Sequence, residues 1–248
     1  MELILIVIAG AALAGFVQGL SGFGFSLTSM SLWAWTLEPQ LAASLAVFGG
    51  LTGQVIAAVT VRRGFDAKLL APFVLGGLCG LPLGLYLLPR LDVVLFKALL
   101  GLLLIVMCPA MFFSARLPRI RGGRAGDAVA GAAGGVMGGL GGFSGVVPTL
   151  WCTMGGLDRD TTRSVIQNFN LAMLAVSFAS YVATGITTRA MLPLLAIVAP
   201  AMLVPSLLGA RLYLGISEAA FRKVVLGLLT ASGAAMLVSA LPVLLARS

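Results

Sequence analysis

Residues 139–150 read Gly139-Leu140-Gly141-Gly142-Phe143-Ser144-Gly145-Val146-Val147-Pro148-Thr149-Leu150. A helix does not continue easily through so many glycines, each of which costs about 1 kcal/mol relative to alanine. Yet the run sits inside residues 128–157, which carry no charge at all. At about 1.5 Å per residue that stretch is too long for one upright membrane crossing and too short for two with a loop. The reading is therefore a helix broken by design within an apolar segment.

Working outward, the same pattern occurs near the other end of the chain. A shift of about 120 residues lays Gly19-Leu20-Ser21-Gly22-Phe23-Gly24 over Gly139 to Ser144. Further on, Lys97-x-x-x-Gly101-Leu102-Leu103 lies over Lys223-x-x-x-Gly227-Leu228-Leu229. Self-similarity at such a period marks a duplicated unit. Each unit holds one overlong glycine-broken stretch, 3–37 or 128–157, followed by three stretches of crossing length: 39–61, 69–89 and 98–115, then 164–188, 190–210 and 224–246.

Composition agrees with a membrane solvent, since the 248 residues are 60% hydrophobic and only 10% charged, against about 25% charged in soluble domains. Residues 3–17 run from apolar into small residues as a secretory leader does, but no basic residue precedes them, and they read as structure. The net charge of +8 lies at the ends of apolar stretches without aromatic interleaving. That pattern fits topology signals and lipid headgroups and predicts no nucleic-acid partner. Cys79, Cys108 and Cys152 have no metal or redox spacing and read as small core residues.

Lys and Arg accumulate on the cytoplasmic side, which makes topology a count over the 16 basic residues. If each broken stretch crosses once, the split is nine against seven. If each is a re-entrant hairpin, only Arg90, Lys97, Arg189 and Arg247 lie outside, and the remaining twelve of sixteen lie inside. The hairpin arrangement leaves an odd number of crossings per half. The predicted fold is thus an all-α membrane protein of two inverted repeats, each a glycine-broken re-entrant helical hairpin followed by three transmembrane helices. The repeats span 1–114 and 128–248, joined by a basic cytoplasmic linker over 115–127. Both termini would be periplasmic or extracellular, in a cell inner (plasma) membrane.

Non-helical backbone survives at membrane depth only where protein buries it or a wet cavity adjoins it. Short helices are expected over 24–36 and 146–156, and their first amides would be unpaired, at the positive end of the helix dipole. Two such ends converging form an anion site without a buried cation. The candidate substrate-binding residues are Ser21, Gly22, Phe23, Gly24, Ser26 and Thr28 at the first bend and Gly141, Gly142, Phe143, Ser144, Gly145 and Thr149 at the second. Gln54, Gln167, Asn168 and Asn170 join them as amides that are costly in hydrocarbon unless they face the bundle interior. For the hydroxyls, bonding to a preceding carbonyl of their own helix is the competing reading. Gln18 lies beside the first bend. The chain has no histidine, and each acidic residue lies at or beyond the end of an uncharged stretch. General acid–base or metal chemistry finds no assembled groups, so no enzyme, metal or cofactor is expected.

The duplicated bends, above all Gly139 to Leu150, resemble the sulfite exporter TauE/SafE family, also called the 4-toluene sulfonate uptake permeases. The resemblance runs over nearly the whole chain. It departs internally, since Thr28 stands where the second bend has Pro148. It implies a carrier of sulfite, an organosulfonate or a related sulfur-containing or carboxylate anion. A passive anion channel and a non-transporting scaffold subunit are the alternatives. Proton or sodium coupling and a homodimer stay open, and a coupling proton would ride on the substrate or use Asp66, Asp158 or Asp160.

Overall fold

The computed structural model describes residues 2–22, 24–60, 64–113, 120, 122–212 and 218–246, with the backbone alone at 159, 212 and 218–222. Among these the chain is helical: α1 Glu2–Ser21, α2 Phe25–Trp33, α3 Pro39–Thr60, α4 Ala67–Leu87, α5 Val93–Phe112, α6 Gly123–Gly141, α7 Val146–Met154, α8 Arg159–Ala183, α9 Leu192–Leu212 and α10 Glu218–Leu245. Seven helices, α1, α3, α4, α5, α8, α9 and α10, are long and apolar enough to cross a membrane. The two overlong stretches break where the glycines predict, and the short helices start as expected but end at Trp33 and Met154. α6 begins at Gly123, inside the stretch read as linker. Many of the counted basic residues, including Arg62, Arg63, Arg116, Arg119, Arg121 and Arg247, lie outside the described residues.

Aspartates start three of the long helices. Asp66 accepts from the Lys68 and Leu69 amides, Asp92 from Leu95, and Asp158 from Asp160 and Thr161. Each satisfies donors that have no partner within the helix. The acidic residues at the stretch ends are thus helix caps in these cases.

Both short helices fold back on the helix before them. The Trp33 indole donates to the Ile6 carbonyl at 3.1 Å, while Gly24, at the other end of α2, faces Val17. In the second half, Ser144 faces Gly138, Pro148 faces Gly134, and Trp151 lies over Gly126 and donates to Asp127 at 2.8 Å. α2 and α7 are therefore the return arms of two helical hairpins.

The long arm of each hairpin packs on a helix of the other half. A Cβ on Gly76, Gly80 or Gly84 of α4 would lie 2.0–2.2 Å from the carbonyl oxygens of Ala128, Ala132 and Val136 in α6. Gly131 and Gly135 answer from α6 against Phe73 and Gly77. Gly15 and Gly19 of α1 lie likewise on Met202 and Ser206 of α9. In both pairs the residue numbers rise together, so the helices run parallel with backbones in contact, as small residues allow.

Other pairs run antiparallel. Thr187, just beyond α8, donates to Ser44 of α3 at 2.9 Å, Phe48 packs on Phe178, and Gly50 faces Leu174. In α5 and α10, Gly101 faces Leu237 while Leu104 and Ile105 face Gly233. The contacts match between halves: α1 on α9 answers α6 on α4, and α3 on α9 answers α8 on α4.

Large apolar side chains such as Leu75, Leu102, Val204, Leu228 and Val238 are exposed, whereas Gln18, Gln54, Ser144, Asn170 and Ser177 are buried. That inside-out distribution suits hydrocarbon outside and a polar seam within. Cys108 and Cys152 are buried as expected. Cys79 is exposed and corrects that expectation, because it lies on the side of α4 away from Gly76, Gly77 and Gly80, which take its contacts with α6 and α8.

Candidate functional site

The chain turns out of α1 through Gly22 at φ +77° and Gly24 at φ +95°, and out of α6 through Gly142 at φ +79°. L side chains rarely adopt these angles, which is the local reason for glycine. The two bends meet. A Cβ on Gly142 would lie 2.7 Å from Ser26 Oγ, in the first turn of α2. The meeting point is halfway along the long helices: Phe25 packs on Gly49 of α3, and Gly145 packs on Asn170 of α8.

A small cavity opens here, lined by Gln18, Gly24, Phe25, Ser26, Leu27, Gly50, Gln54, Gly142, Phe143, Gly145, Val146, Asn170 and Leu174. Its wall contains the first turns of both α2 and α7. Gly24 and Gly145 stand at the N-cap positions of the two short helices, and neither can cap with a side chain. Four amides at a helix start lack acceptors within the helix, although here Val146 finds the Phe143 carbonyl at 3.2 Å. Pro148, the third residue of α7, carries no N–H; both helix starts border one space, and no charged side chain is among those lining it.

Three amide side chains line that space. Gln54 donates from Nε2 to the Gly22 carbonyl at 3.2 Å, and its buried Oε1 has no partner. Asn170 accepts through Oδ1 from the Ser144 hydroxyl at 2.9 Å. Gln18 donates to the Gly50 carbonyl at 3.4 Å, and Gly53 is needed beneath it, since a Cβ there would lie 2.0 Å from Gln18 Nε2.

Of the residues singled out from sequence, Gly24, Ser26, Gln54, Gly142, Phe143, Gly145 and Asn170 line the cavity. Gly22 and Ser144 stand one hydrogen bond behind, through Gln54 and Asn170. Ser21 and Thr149 donate to the carbonyls of Val17 and Gly145 on their own helices, and Asn168 donates to Ser164. Thr28, Gly141, Gln167 and Asn168 are not among the lining residues, and Phe23 lies outside the described residues. Sequence reasoning left Gln18, Gly50 and Leu174 out of the set. Gln18 had a signal, since it sits one helical turn before Gly22. Leu174 had none.

Apolar helices of crossing length, packed around a polar cavity at two helix breaks, define a multi-pass membrane protein of transporter type. The sequence matches the family model described as Sulfite exporter TauE/SafE over residues 7–236, and the chain belongs to that family. Neither a curated protein nor a solved structure matches it.

Proposed function

We propose that this chain is a secondary transporter for a small anion, held between the N-termini of α2 and α7 near the bilayer midplane. Sulfite, an organosulfonate or a related sulfur-containing or carboxylate anion is the substrate, with the family match favouring sulfur oxyanions. The observation that carries the reading is the common wall: both helix starts open on one cavity that holds no lining cation. Helix ends attract negative charge through unpaired amides and the dipole, and a low-dielectric surround strengthens that attraction. Gly22, Ser144 and the lining residues form the site, and Ser21, Thr28, Gly141, Thr149, Gln167 and Asn168 surround it.

The halves are read as inverted repeats, with the hairpins entering from opposite faces. Support comes from the matched pairings between halves and from the antiparallel course of α3 against α8 and α5 against α10, each helix meeting its own counterpart. Both termini then lie outside an inner (plasma) membrane and residues 115–127 inside. In a background with Cys79 replaced by Ala, cysteines at 38 and 90 should react with an impermeant reagent from outside, and those at 120 and 159 only from inside. Reaction of 159 from outside rejects the arrangement.

Reconstitution in liposomes tests the function. Saturable flux of sulfite, sulfonates or carboxylates with counter-exchange is expected. Unsaturable single-channel currents would make the protein a channel, and a folded protein with no flux would make it a scaffold. Imposed proton and sodium gradients identify the coupling.

A further inference from the structure

We propose that the site takes its anion in a singly protonated form, a hydroxyl-bearing monoanion such as hydrogensulfite, so that the substrate itself carries a proton across. This rests on the anion-transporter reading above and names the protonation state that the site selects.

The two sides of the cavity ask for different things. The starts of α2 and α7 both bring the positive end of a helix dipole to the cavity, which suits negatively charged oxygens, although the Val146 amide is taken by the Phe143 carbonyl and Pro148 has no N–H. Gln54 offers the opposite. It is 2% exposed, it lines the cavity, and its Nε2 donates to the Gly22 carbonyl. A carbonyl only accepts, so the amide has one sensible orientation and Oε1 is the end left over. That oxygen is buried and has no hydrogen-bond partner. A buried acceptor left unpaired is costly, and a fully ionised oxyanion placed against it offers nothing but repulsion.

One substrate class answers both sides. A monoanion that keeps a hydroxyl sets its charged oxygens on the helix ends and donates its O–H to Gln54 Oε1. Sulfite dianion, sulfate and simple sulfonates lack that hydroxyl and leave Oε1 unpaired. The expected discrimination is about tenfold, the size of one such hydrogen bond.

Among the residues that line the cavity the proton has no other carrier. No titratable side chain lines the cavity from α1, α2, α3, α6, α7 or α8, and the chain has no histidine. Asp66 and Asp158 use a carboxylate oxygen to cap α4 and α8. The proton balance closes on the substrate: hydrogensulfite binds on one side, and after release on the other it dissociates to sulfite and a proton.

The test uses the full chain in liposomes containing a pH dye, with protein-free vesicles subtracting passive leak. Sulfite, methanesulfonate and sulfate are supplied from mildly acid to mildly alkaline pH. Sulfite flux should follow the external hydrogensulfite fraction, acidify a lumen held mildly alkaline, where the imported hydrogensulfite dissociates, and exceed methanesulfonate flux about tenfold. Gln54→Met, with folding checked by elution profile and Tm, should lose that preference about tenfold. Equal flux of methanesulfonate and sulfite without acidification would overturn the proposal and leave the transporter intact. A preference unchanged in Gln54→Met would also overturn it, as would a loss equal for every anion, the mark of an acceptor that serves only water. No flux of any anion would overturn the transporter reading itself and this proposal with it.

Discussion

A methyl group added at Gly22 meets nothing within 4 Å, whereas one added at Gly142 meets Ser26 Oγ at 2.7 Å, with Val47 and Leu174 close behind. The two bends share a backbone solution and differ in enclosure. The first uses two left-handed glycines, Gly22 and Gly24, and lends its carbonyl to Gln54. The second uses one, Gly142, and is walled by α2, α3 and α8. The long arms differ too: α1 is apolar enough to count as a crossing by itself, and the glycine-rich α6 is not among the candidate spans. The two bends thus share their helix ends and differ in the side chains around them. A shift of about 120 residues lays Gln54 on Leu174 and Asn170 on Gly50, so each amide is answered by a side chain that cannot hydrogen-bond. In the proposed reading the two helix starts supply the positive potential, and the unlike side chains around them set how one ligand would lie.

The comparison breaks most completely away from the bends. Gly80→Leu forces a side chain onto the Ala132 carbonyl, 2.0 Å from the new Cβ, and neither backbone can yield without parting α4 from α6. Overpacking typically costs about 1–3 kcal/mol, and here the upper end is expected, read as loss of monodisperse protein in detergent. Gly142→Ala and Gly22→Ala sharpen the contrast between bends. Both force a left-handed L residue, at about 1–2 kcal/mol, but only the first also collides with Ser26. Gly142→Ala should abolish flux, and Gly22→Ala should lower Tm while retaining measurable flux. Equal behaviour of the two would erase the difference in enclosure. Ser144→Ala acts on one hydrogen bond, leaving Asn170 Oδ1 without its donor. A loss of about 1 kcal/mol, near fivefold in substrate affinity, is expected by binding titration.

The smallest effect belongs to Asp158. The Thr161 hydroxyl and then the Thr161 amide hold its carboxyl below the usual carboxylate range, with the Asp160 amide adding to them. A lowered folded value means stabilisation that is full above the unfolded carboxylate pKa, about 3.9, and is lost as pH falls through the lowered value. Asp158→Ala should therefore lower Tm slightly at neutral pH, with the gap to the parent closing only in strong acid.

Much of this arrangement was legible in residue order. Glycine density located both breaks because a broken helix in an apolar stretch leaves few alternatives, and the repeat located the second from the first. Partner choice was not legible. Gly76, Gly80, Gly131 and Gly135 announce close approach, yet nothing in small-residue spacing says that α4 meets α6 or that α1 meets α9. Side-chain facing was legible only in part. Gln167, Asn168 and Asn170 share one helix, and the order of residues alone did not single out Asn170, the one that lines the cavity. Ser21 and Thr149 satisfy their hydroxyls on their own helices, a local option that competes at every such position and leaves no mark in the sequence.

The parallel glycine-lined seams have a further consequence. Since α1 is clasped by α9 and α6 by α4, neither half packs its own hairpin, and each glycine-lined seam joins the two ends of the polypeptide. Fragments 1–114 and 123–248 made separately should each expose a naked backbone groove and aggregate. Produced together, they should find one another and restore a working protein without the peptide bond between them.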